Sequence, residues 1–155
     1  MATTKINLHE KIGEIVSNHA IIEYALANWL ASLISEDYVI GKIITCEMSC
    51  KSLTQALQSI FNYRATINKL EEKEWSEIKR LVSMINEAEQ ERNVVAHSVN
   101  VNIFDTNIKY KETSKQKNGF VPKFDILDDE HFEKVVTMQR TIVGEMERLQ
   151  ELTKS

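Results

Sequence analysis

The 155-residue sequence predicts an all-α bundle of four to five helices, with a small antiparallel β-hairpin inserted between the last two. Three observations carry this expectation. Apolar residues recur at three- and four-residue spacing over long uninterrupted stretches. Only 4 Gly and 1 Pro are present, far fewer than the turns of a β-sandwich require. The composition, 43% hydrophobic and 27% charged, is that of a globular chain long enough to build a core without disulfides or a structural metal. No repeat or linker divides the chain, so a single domain over residues 1–155 is expected, its β insertion at about 99–124.

The first helix runs from Leu8 to about Ile34, where Leu8, Ile12, Ile15, Ile22, Leu26, Leu30 and Leu33 keep the helical period. A second set, Val16, Ala20, Ala27, Ala31 and Ile34, widens the stripe and predicts contact with two neighbours or with a second subunit. Ser35, Glu36 and Asp37 offer N-cap chemistry for a short helix from Tyr38 to about Cys46, weakened by Gly41. Ser49 or Ser52 can cap a third helix that carries Leu53, Leu57, Ile60 and Phe61 to about Tyr63, with 64–69 as a connection. From Leu70 to about His97, good helix formers surround a stripe of Trp75, Ile78, Leu81, Val82, Ile85 and Ala88. The period then changes to two. Val99, Val101 and Ile103 alternate with asparagines, and Ile108 and Tyr110 with lysines, which predicts a hairpin turning near 105–107. Asn118-Gly119 is a further turn signal before a short Phe120–Phe124 segment that holds Pro122. Asp128 or Asp129 can cap the last helix, striped by Phe132, Val135, Gln139, Ile142, Met146 and Leu149.

The net charge is −4, so no global positive field exists to hold a duplex, and a nucleic-acid site must be local. The longest apolar stretches fall short of the roughly 20 residues of a membrane span, so no membrane is expected as a partner. Cys46 and Cys50 are the only cysteines, and no disulfide framework or leader pattern points to export, so a cytoplasmic location is expected. These two cysteines lie four apart with no histidine or second cysteine pair near them in sequence, which favours small buried hydrophobes over metal ligands. His9 and His131 read as solvated, and Trp29 and Trp75 as core or interface anchors. The absence of a Gly-rich phosphate loop, a nucleophile elbow or an HExxH pattern leaves no cofactor and no metal to expect.

Packing does not explain the segment Glu91-Arg92-Asn93-Val94-Val95-Ala96-His97-Ser98. Arg92 falls on the apolar stripe of its helix, which aims the guanidinium at a neighbour and calls for an anion or several acceptors. Asn93 and His97 share a second face, about 100° round from Arg92, within the sweep of a long arginine side chain. His97 also sits where the helix ends, so the dipole favours its charged form. Imidazole for proton transfer beside guanidinium for charge suits a phosphodiester. Packing alone could equally place Arg92 and His97 as helix caps or bridges. His19 and Glu23, four apart on the inward side of the first helix, are either a core polar pair or partners that reach Arg92.

Arg92-Asn93-Val94-Val95-Ala96-His97 resembles the R-x(4–6)-H motif of the HEPN superfamily, where Asn commonly follows the arginine. The order of elements is also similar: a long first helix with Glu23 and an aromatic, Leu-rich run, middle helices, a long helix ending in the motif, and a closing helix. The resemblance implies a HEPN-like bundle and a metal-independent endoribonuclease of toxin–antitoxin or phage-defence systems. It implies Arg92 and His97 as the catalytic pair, Asn93, Glu23 and Ser98 in support, and attack by the ribose 2′-hydroxyl at a composite site made by a homodimer. RNA is the implied substrate, with an antitoxin or other protein as a further partner. The basic hairpin region supplies Lys109 and Lys111 as RNA-backbone contacts or simply as a solvated edge. The alternative implication is a non-catalytic interaction module that binds a protein or nucleotide partner.

Overall fold

A computed structural model describes the backbone of residues 8–97, 99–103, 106–116, 119–126 and 129–154, and the side chains of residues 9–96 and 129–154. Within the latter two segments the architecture is wholly helical. The five helices are α1 (Leu8–Ile34), α2 (Tyr38–Thr45), α3 (Cys50–Thr66), α4 (Glu72–His97) and α5 (Asp129–Leu152). Between α4 and α5 the backbone pairs as three antiparallel strands, β1 (Val99–Ile103), β2 (Thr106–Gln116) and β3 (Gly119–Ile126), in the order β1-β2-β3. The expected insertion falls in this stretch, where side chains lie outside the described residues. Its turn near 105 and the Asn118 turn signal fall partly on residues outside the description altogether.

Local chemistry sets most helix ends. The Asp37 carboxylate accepts from the backbone N–H groups of Val39 and Ile40 and starts α2. The Ser49 hydroxyl accepts from Ser52 N and starts α3 one residue later. Of the two serines expected as a cap, Ser49 holds the role. The third helix continues beyond Tyr63 to Thr66, so part of the expected connection is helical. It stops because Asn68 takes φ 59°, a left-handed conformation that asparagine tolerates. Lys69 N then donates to Arg64 O at 2.8 Å and Asn68 N to Ala65 O at 3.2 Å, satisfying the last carbonyls. Gly41 has a role that helix propensity alone did not suggest. A Cβ there would run into the backbone of Ala31, so glycine lets α2 lie directly on α1.

Helix α1 packs against each of the other four helices. Most of its wide stripe is used in this way, with Ala27 and Ala31 buried, whereas Val16, Ala20 and Ile34 are exposed. The main core gathers Leu26, Trp29 and Leu30 of α1, Leu57 and Phe61 of α3, Ile78 and Ile85 of α4, and Ile142 and Leu149 of α5. The Trp29 and Phe61 rings meet at 5.5 Å between centroids in a tilted pair. A second, smaller core holds Ile15 of α1, Val95 of α4, and Phe132, Val135 and Val136 of α5.

Between the two cores the helices turn polar at one level. Along α1 the inward-facing sequence is Ile15, His19, Ile22; along α4 it is Ala88, the half-buried Arg92, Val95; along α5 it is Val136, Gln139, Ile142. Each polar residue lies one helical turn from the apolar residues above and below it, so the three stripes bring His19, Arg92 and Gln139 to the same layer. Gln139 is 1% exposed, and its amide donates to the carbonyl of Ile15, 2.8 Å away, tying α5 to α1 at this level.

Candidate functional site

The polar layer is the candidate site, built from three helices. Helix α1 presents His19 and Glu23 at the i, i+4 spacing that stacks them on one face. Helix α4 presents Glu89 and Arg92, one turn apart. Helix α3 contributes its first residue, Cys50, placed there because the Ser49 cap fixes where α3 begins.

One carboxylate oxygen organises the cluster. Glu23 Oε1 lies 3.5 Å from Arg92 Nη2 and 3.4 Å from His19 Nε2. The arginine side chain is 23% exposed and the glutamate side chain 38%, so Glu23 forms the solvent edge of a site whose inner wall is dry. His19 is 1% and Cys50 2% exposed. Among the described residues, neither ring nitrogen of His19 has a hydrogen-bond partner, and Arg92 Nε is likewise buried without one. Leaving such groups unsatisfied costs about 1–3 kcal/mol each.

Burial and charge tune both inner groups. Burial pushes the His19 pKa down, the Arg92 cation pushes it further, and the Glu89 carboxylate partly opposes the shift, so the ring is neutral at physiological pH. Burial pushes the Cys50 thiol up to about 12, with Glu89 and Glu23 adding and Arg92 opposing. A thiol held so far up is protonated and inert as a free nucleophile. The arrangement offers an imidazole, a carboxylate and a thiol whose ligand atoms all lie within 4.8 Å of one another, beside the Arg92 cation.

Of the residues that the sequence singles out, Arg92 and Glu23 come together, and Asn93 is half-buried beside them on α4. His97 is the last residue of α4, and its side chain lies outside the described residues, as does Ser98 entirely. Lys109 and Lys111 lie on β2, opposite Asp125 and Lys123 of β3 in register, with side chains outside the described residues. His131, expected to be solvated, is half-buried, with Nε2 3.1 Å from Glu91 Oε2 across the α4–α5 seam. The reason is helical phase: the first turn of α5 faces the last turns of α4, and Glu91 is the acceptor there. His9 is exposed and Trp29 is a core residue.

Sequence reasoning missed Cys50 as a neighbour of His19. Cys46, its supposed companion, is exposed, and its thiol faces its own helix at the Ile43 carbonyl, 3.5 Å away. It also missed Glu89 and read Gln139 as one more position of an apolar stripe. A polar residue on that stripe was the available signal, as it was for Arg92.

No family model, no curated protein and no solved structure matches this chain. Among the described residues, no helix is long and apolar enough to cross a membrane.

Proposed function

We infer that this chain is a metal-independent endoribonuclease of the HEPN type, working in the cytoplasm as a two-fold homodimer in a toxin–antitoxin or phage-defence setting. The observation that carries the reading is the placement of Arg92. It lies on the inward stripe of the helix that ends at His97, and its guanidinium, half-buried, stands 3.5 Å from the Glu23 carboxylate. Among the described residues its one carboxylate contact is this 3.5 Å approach to a single oxygen, and with side-chain surface still open it leaves donors that can turn to a phosphate.

In this mechanism Arg92 holds the scissile phosphate and the charge that develops on it. His97 exchanges the proton between the ribose 2′-hydroxyl and the leaving 5′-oxygen. The O2′–P bond forms as the P–O5′ bond breaks, leaving a cyclic phosphate. Asn93 and Ser98 support the pair, and Lys109 and Lys111 contact the RNA backbone from the β insertion. Five residues of helix separate Arg92 from His97 by about 7.5 Å along the axis and roughly 140° around it. A site shared by two copies relieves that divergence, because each copy can supply one of the two groups. The exposed apolar side chains Ile21 and Tyr24 of α1 and Tyr38, Ile40, Ile43 and Ile44 of α2 support dimerisation.

A specific observation favours a second reading, a HEPN-like module that binds a protein or nucleotide partner without cleavage. Glu23 already occupies the arginine. Incubating the protein with single-stranded RNA in EDTA decides between them. As an enzyme, wild type cleaves, Arg92→Ala and His97→Ala lose at least about a hundredfold, and Glu23→Gln, which frees the guanidinium, cleaves faster. No cleavage by wild type or Glu23→Gln assigns the chain to the binding module, and a single species at the monomer mass in sedimentation removes the composite site.

A further inference from the structure

We propose that His19, Glu23 and Cys50 form a binding site for one zinc-class divalent cation, with a solvent molecule in the fourth position. The inference is independent of RNA cleavage and goes beyond it.

The donor set is the first argument. Imidazole, carboxylate and thiolate are the three side-chain types that zinc takes, and three protein ligands plus water is its usual open arrangement. Their ligand atoms lie within 4.8 Å of one another. Around a tetrahedral zinc with bonds of roughly 2.0–2.3 Å, donor atoms stand about 3.5 Å apart. The widest separation therefore needs to close by at most about 1.3 Å, from 4.8 Å to about 3.5 Å, within the reach of small side-chain rotations.

The second argument is the state of His19. Its ring is 1% exposed, and among the described residues neither nitrogen has a hydrogen-bond partner. A histidine packed for shape alone could be a leucine, whereas this one brings two unpartnered ring nitrogens into a dry site, at the cost of leaving them unsatisfied. Nε2 already faces Glu23 Oε1 at 3.4 Å.

Charge supplies the third. Arg92 opposes a cation, and it is one positive group against two carboxylates, Glu23 and Glu89, both of which act on Cys50. The cluster is thus negative by one unit. Binding a divalent cation while the Cys50 S–H bond gives its proton to solvent brings it to neutrality, with one M–S bond formed and no change of oxidation state. Entry is through Glu23, whose side chain is the exposed edge. Once metal holds Glu23, the Arg92 guanidinium loses its carboxylate partner.

Titrating the EDTA-stripped, dialysed full chain with Co²⁺ tests the site. The expected result is one saturable equivalent with tetrahedral visible bands and a near-ultraviolet thiolate-to-cobalt band, all displaced by Zn²⁺. Cys50→Ser abolishes the near-ultraviolet band, Cys46→Ser retains it, and His19→Gln and Glu23→Gln each weaken binding at least tenfold, with far-ultraviolet circular dichroism confirming that every variant is folded. Glu23→Gln, at the solvent edge, keeps the test decisive if a buried variant fails to fold. Absence of a saturable equivalent in wild type, a thiolate band that survives Cys50→Ser, or unchanged affinity in folded Glu23→Gln overturns the proposal.

Discussion

Two regions of the same helical seam are filled by opposite chemistry. Around Trp29 and Phe61, α1, α3, α4 and α5 meet through buried apolar side chains. Roughly two to three turns back along α1, the same bundle meets through His19, Glu23, Cys50 and Arg92, with Gln139 at the same level of α5. The first region stabilises by burial, at roughly 1.5–3 kcal/mol for each large side chain removed from water. The second costs stability through desolvated polar groups with few partners. A bundle needing only to fold would have continued the apolar stripe through position 92. Local loss of stability concentrated in one layer is the signature expected of a functional site.

The largest test of that contrast is at the apolar end. Phe61→Ala removes a fully buried ring against Trp29, and urea denaturation should show a loss of about 3–5 kcal/mol. At the polar layer the expected pattern differs in kind. Glu23→Gln alone leaves Arg92 without its carboxylate and should cost about 1 kcal/mol, because both groups are partly open to solvent. The double change Glu23→Leu/Arg92→Leu should be neutral or stabilising, since it extends the core through the layer. If the double variant is instead less stable than the single, the layer is a structural element and the contrast collapses.

A third measurement separates the regions by pH. Because the His19 pKa is lower in the fold than its ordinary value of about 6.5, the unfolded chain binds a proton that the metal-free folded chain refuses. The stability that neutral His19 contributes is therefore complete above about pH 6.5. It declines as pH falls from there toward the lower folded value, by at most about 1.4 kcal/mol per pH unit. Arg92 opposes protonation of the ring and Glu89 favours it. Denaturation midpoints in EDTA at pH 7.5 and 5.5 should fall further for wild type than for His19→Gln; equal falls would place the pH sensitivity elsewhere. The smallest effect is expected at the His131–Glu91 pair, where His131→Gln should lower the unfolding free energy by about 0.5 kcal/mol or less, as partly exposed pairs do.

Much of the architecture was legible residue by residue. Asp37 and Ser49 start helices because a short acceptor side chain beside free N–H groups is a local device. The stripes of α1, α4 and α5 follow from 3.6 residues per turn, and Arg92 on such a stripe announced an inward-turned, half-buried cation before any neighbour was known. Asn68 also carried a legible stop signal, and reading it would have extended α3 past Tyr63.

What no local pattern holds is which stripe faces which. The Glu23 carboxylate between His19 and Arg92, the Cys50 thiol beside them, Gln139 on the Ile15 carbonyl and Gly41 on the Ala31 backbone all join residues from different helices. Their distances depend on how far each helix slides and turns when all the apolar side chains of the bundle pack at once. The helical period is fixed by hydrogen bonds four residues apart, so a sequence displays it directly. The register between helices is settled by the joint packing of the whole bundle, and only there do an imidazole, a carboxylate and a thiol come within reach of one another.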